Sequence, residues 1–124
     1  MATATYMMLL WGDPAECTDI DGAMAVHERF TEQCEVQGHE ILAGAELAEP
    51  HGAQLLRMAG DGPHVTDGPY AETTEVLGGF YIIRTADPDG LLRLAAPIVQ
   101  PGPIGGGTIE LRPFMVRDAP VGAA

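Results

Sequence analysis

The stretch Gly79 to Thr85, GFYIIRT, sets the strongest limit on how this chain can fold. Its large apolar side chains are consecutive. As a strand it sends Phe80 and Ile82 to one face and Tyr81 and Ile83 to the other. A sheet built around such a strand is apolar on both sides, so both sides need cover. Only two segments carry a helical repeat, and they suffice for one side of an antiparallel sheet. The remaining cover is expected from a second copy of the chain, through an isologous interface.

The first helical segment is capped by Asp19 or Asp21. Ile20, Met24, His27, Phe30 and Cys34 then recur at three- and four-residue steps, and Gly38 closes it. The second starts at Asp87-Pro88, with Asp87 as cap and Pro88 at the first helical position, and runs through Leu91, Leu92, Leu94, Ala95 and Ile98. Strands are expected at Thr5–Trp11, His39–Leu47, Gln54–Met58 and Thr108–Val116. The turn Gly60-Asp61-Gly62-Pro63 leads to a return strand at His64–Thr66. Loops are expected from Asp67 to Val76 and from Pro101 to Gly107. The order is that of an α+β, ferredoxin-like β-α-β-β-α-β unit with an extra hairpin. At 124 residues the chain suits one domain, assigned to residues 1–118, with 119–124 as a frayed tail.

Charge and missing residue types narrow the chemistry. A formal charge of −12 repels phosphate backbones and anionic membrane surfaces, so neither nucleic acid nor membrane is an expected partner. No apolar run approaches the ~20 residues of a membrane span, and no secretory signal pattern opens the chain; a cytoplasmic location is expected. All six bases are Arg, which excludes a Schiff base on a lysine. The absence of Ser excludes a Ser-His-Asp triad. Cys17 and Cys34 have no ligand spacing and are expected as reduced thiols. His39, His51 and His64 form no metal-ligand pattern, and no nicotinamide, flavin or phosphate-loop fingerprint is present, so no cofactor is expected.

The run Asp67-Gly68-Pro69-Tyr70-Ala71-Glu72-Thr73-Thr74-Glu75, followed by Leu77-Gly78-Gly79-Phe80, resembles the signature of the YCII-related, DGPF-motif family. Tyr70 stands where the family has Phe, and Thr74 where it has Lys. Ile109-Glu110-Leu111-Arg112-Pro113 is similar to the family's last strand, and His27-x-x-Phe30 to its histidine segment on the first helix. The resemblance implies a dimeric α+β barrel. It also implies two kinds of role: action on small organic molecules through a His-Asp pair, or partnership with an extracytoplasmic-function sigma factor.

His27 lies on the apolar stripe of the first helix, where an imidazole can give or take a proton near neutral pH. Asp67 would orient it. Tyr70 and Glu72, with Glu75 near them, would hold or protonate a polar substrate. Trp11, Phe30, Tyr81 and Phe114 are expected to line an apolar pocket between sheet and helices. Arg84 could hold an anionic substrate group, and Arg112, which shares a strand face with Glu110, is expected as a further substrate contact or as its pair across the dimer. The leading expectation is therefore cofactor-independent proton transfer on a small organic molecule, as in an elimination, isomerisation or cyclisation. The rival is a non-catalytic ligand-binding or regulatory protein that docks an acidic face on a basic partner.

Overall fold

Two short Asp-x-Asp-Gly sequences start the two helices. The computed structural model describes residues 2–68 and 74–116. In α1 (Ile20–Gln37) the Asp19 side chain accepts from the Gly22 N–H at 2.9 Å, and in α2 (Pro88–Ala95) Asp87 accepts from Gly90 N–H at 3.0 Å. Each carboxylate folds back over the third helical position, where a Cβ would collide with it. Glycine leaves each carboxylate that space, although it lowers helix propensity. α1 ends at Gly38 in the left-handed region, φ 83°. α2 stops at Ala95 and continues as a 3-10 turn over Ala96–Val99, because Pro97 has no N–H to extend the helix.

Four strands form one antiparallel sheet: β1 (Ala4–Gly12), β2 (Glu40–Glu46), β5 (Val76–Thr85) and β6 (Thr108–Pro113), in the order β2-β5-β1-β6. β5 enters between β1 and β2, the two strands that α1 connects. This is the split βαβ, ferredoxin-like arrangement, and the chain is an α+β protein. β3 (Gln54–Ala59) and β4 (Gly62–Asp67) form a separate two-stranded hairpin. β5 starts three residues before the expected Gly79, and β6 ends three residues before the expected Val116. Asp67 closes β4 instead of opening a loop. Residues 119–124 lie outside the described residues.

The helix side of the sheet holds the core. Met8 and Ile83 from the strands meet Phe30 and Cys34 of α1, and Leu91, Ala95 and Ile98 of α2 and its 3-10 turn. Each large side chain so buried contributes roughly 1.5–3 kcal/mol. Register puts the other set on the opposite face. Met7 pairs with Ile82, Leu9 with Phe80, and Ala43 and Ala45 with the same two β5 residues. Met7, Leu9, Trp11, Phe80 and Ile82 are only half-buried there, with no helix over them among the described residues. The two-faced apolar sheet read from GFYIIRT is therefore present.

The far end of β5 is tied down by polar contacts. The Thr85 hydroxyl lies 2.7 Å from His39 Nδ1 and accepts the Asp87 N–H at 2.9 Å. His39 and Thr85 are both buried. One hydroxyl thus joins the start of β2, the end of β5 and the cap of α2.

Candidate functional site

His27 stands on α1 one turn before Phe30, over the helix-facing side of β5. Tyr81 rises from that strand to meet it. His27 Nδ1 and the Tyr81 hydroxyl are 2.8 Å apart, and the rings lie 5.9 Å centre to centre. Phe30 also packs on the Tyr81 ring, at 5.3 Å centre to centre. The expected apolar stripe is real at its C-terminal end, where Phe30 and Cys34 are buried. At its start Ile20 and Met24 are exposed. That end of the sheet offers α1 little to pack on, because Gly44 and Gly79 occupy the helix-facing positions beside and before Tyr81.

Burial lowers the pKa of His27 from the ordinary 6.5, and the negative charge of Glu46 partly offsets this. Burial raises the pKa of Tyr81, helped by Cys34. The imidazole is thus held neutral and the phenol protonated at neutral pH. In the tautomer that carries the imidazole proton on Nε2, the protonated phenol of Tyr81 donates to Nδ1. A neutral base bonded to a protonated phenol can pass a proton in either direction. Glu46 lies on the helix-facing side of β2, two residues beyond Gly44, where its charge favours the imidazolium that such a transfer creates.

The other expected residues are spread over three places. Asp67 is exposed at the end of β4, paired with Gln54 in the hairpin, while the imidazole Nδ1 is engaged by Tyr81. Tyr70 and Glu72 lie outside the described residues. Glu75 accepts from the Thr108 hydroxyl at 3.3 Å. Trp11, Arg84 and Arg112 are on the opposite face of the sheet from His27. Trp11 Nε1 donates to Glu110 at 3.2 Å, Arg84 binds Glu40 at 2.7 Å, and Arg112 Nε is 3.5 Å from Glu110. Strand alternation makes Trp11 part of the outer apolar face, so the expected pocket between sheet and helices does not include it. Phe114 is exposed beyond β6.

His39, His51 and His64 stand apart. His51 is 3.2 Å from Glu49 and His64 is 2.7 Å from Asp61, both on the surface, while His39 is buried against Thr85. A largely apolar groove of about 290 Å³ runs between α1 and the α2 region, lined by Val26, Arg29, Phe30, Leu94, Pro97 and Ile98. It does not include His27.

Sequence reading placed Tyr81 near the pocket but missed its bond to His27, and it missed Glu46 altogether. The available signal for Tyr81 was its shared face with core residue Ile83. Nothing local marks Glu46, which comes near His27 only through the pairing of β2 with β5.

The family model of the YCII-related domain matches residues 4–113. An uncharacterised protein of Rhizobium meliloti is 39% identical over 70 residues, covering 56% of this chain and 56% of that protein. The match thus spans little more than half of the relative's length.

Proposed function

We propose that this chain, which belongs to the YCII-related family, transfers protons on a small organic molecule with its own side chains, as in an elimination, isomerisation or cyclisation. The observation that carries the reading is the 2.8 Å contact between a half-buried imidazole and a half-buried phenol. The pair works as a unit. As the Tyr81 oxygen takes a proton from the substrate, its own proton passes to His27 Nδ1. The reverse transfer returns a proton to the product. Glu46 stabilises the transient imidazolium, and Phe30 keeps Tyr81 in place. Asp67, Tyr70 and Glu72, from the end of the hairpin and the residues that follow, are assigned to substrate contact.

The outer apolar face supports a homodimer. Met7, Leu9, Trp11, Phe80 and Ile82 form a continuous patch that a second copy would bury isologously.

The test begins with a thermal-shift screen of small aromatic and oxo-acid compounds, since a specific binder stabilises the folded state by mass action. Turnover of a ligand so found should fall by roughly 10²–10⁴-fold in His27→Gln, the range set by positioned acid–base groups. Undiminished turnover in that variant removes His27 from the mechanism. The charge of −12 favours a second reading, docking on a basic protein partner. Capture of a sigma factor that is lost at high salt, and unaffected by His27→Gln, would support that reading instead.

A further inference from the structure

We propose that Gly44 is a positioning residue for the His27–Tyr81 pair: the missing side chain at position 44 is what lets the Tyr81 ring stand where its hydroxyl reaches the imidazole. The inference rests on the acid–base reading above for its functional meaning, although the geometry stands by itself.

Gly44 lies inside β2, directly opposite Tyr81 in the register. Glycine weakens a strand interior, so its presence there needs a cause. Backbone conformation is not that cause, because Gly44 is not among the positive-φ glycines. The cause is steric. A Cβ at position 44 would lie 2.7 Å from Tyr81 Cδ1, 3.2 Å from Cε1 and 3.2 Å from the Phe80 carbonyl oxygen. The Tyr81 ring therefore lies across the space where a side chain at position 44 would start. Carbon atoms pack at roughly 3.5–4.0 Å, so a methyl there drives the ring back by about an ångström. Turning the ring in place is opposed by Phe30 and His27, which pack on it at 5.3 Å and 5.9 Å. A retreat of that size stretches a 2.8 Å contact beyond the ~3.5 Å at which a hydrogen bond is lost.

Among the described residues, Glu46 of β2 acts on His27 by its charge and Cys34 of α1 acts on Tyr81. With Tyr81 displaced, His27 loses the donor that stabilises its neutral form but keeps the charge of Glu46, so its pKa should move up. Tyr81, less enclosed, should move down.

The experiment follows the nitrogen and proton resonances of His27 by NMR titration in four proteins: wild type, Gly44→Ala, Tyr81→Phe and the double variant. The wild-type spectrum should show Nδ1 as an acceptor and the proton on Nε2. Gly44→Ala should lose that signature and shift the His27 midpoint upward. Tyr81→Phe should do the same, and adding Gly44→Ala to it should change His27 no further, which is non-additivity within one contact. An unchanged His27 titration in Gly44→Ala overturns the proposal, as does an equal shift in the Tyr81→Phe background. Should Gly44→Ala fail to fold, the combination with Tyr81→Ala should restore folding by removing the ring; absence of rescue also overturns it. Turnover separates the two readings. If His27→Gln leaves turnover intact, the acid–base function falls while the NMR result on Gly44 stands.

Discussion

Thr85→Val removes one hydroxyl and almost nothing else, since the two side chains have nearly the same shape. Thr85 is 2% exposed and His39 is 5% exposed, so water has little access to what is left behind. Two contacts disappear, the 2.7 Å contact with His39 Nδ1 and the 2.9 Å bond from the Asp87 N–H. A typical bond contributes about 0.5–1.5 kcal/mol net, and a buried group left unpaired costs about 1–3 kcal/mol. The Asp87 N–H is only partly buried and recovers some hydration, whereas the imidazole nitrogen does not. The expected loss is about 2–4 kcal/mol. In urea, with a slope of about 1–3 kcal/mol/M, the midpoint should fall by roughly 1–2 M at unchanged slope. For a chain of 124 residues this corresponds to a Tm lower by about 10 °C. Protein concentration must be held fixed, because an associating chain gains apparent stability by mass action. Thr85→Ser keeps the hydroxyl and loses one methyl, so it should cost only about 1 kcal/mol. If Thr85→Val lies within about 0.5 kcal/mol of wild type, or Thr85→Ser is the worse variant, the polar tie is not what secures the end of β5.

Acid should destabilise the fold through His27. Burial holds its folded pKa below the ordinary 6.5, so as pH falls the unfolded chain binds a proton first. The stability at stake is fully present above the unfolded pKa and is lost as pH drops through the folded one; urea titrations between pH 7.5 and 5 should show a shallower decline in His27→Gln, and parallel declines would contradict this. The two thiols should differ in reactivity. Burial pushes the Cys34 pKa up to about 11, so only about one molecule in a thousand carries the thiolate at pH 8. A disulfide reagent should therefore modify Cys17 in the native protein and Cys34 only after unfolding, and two equal fast phases would refute that. A charge on the outer sheet face should break the proposed dimer: Leu9→Glu or Ile82→Glu should shift light-scattering mass from that of two chains to that of one while circular dichroism stays native. A wild-type protein that is already monomeric at micromolar concentration would remove the second copy from the architecture.

Much of the fold is legible because its causes are local. Asp19 and Asp87 cap their helices with their own side chains, Pro88 and Gly38 set the first and last turns, and Gly60–Pro63 turns the hairpin. The alternation in GFYIIRT assigns Tyr81 and Ile83 to one face and Phe80 and Ile82 to the other without any knowledge of neighbours. α2 is cut short by Pro97, a local signal that the repeat of leucines outweighed in the sequence reading. A distant neighbour decides the start of β5, where Val76 and Leu77 find partners in Gly12 and Trp11.

From its sequence alone the chain settles its element types, its α+β class and the two-sided apolar character of its sheet, because these follow from residue spacing and backbone chemistry over a few positions. Only the tertiary structure decides that His27 meets Tyr81, that Glu46 lends its charge and that Gly44 leaves room for the ring. Those partners lie 54, 19 and 17 positions from His27 along the chain. What joins them is the insertion of β5 between β1 and β2, a pairing that no local pattern of residues encodes.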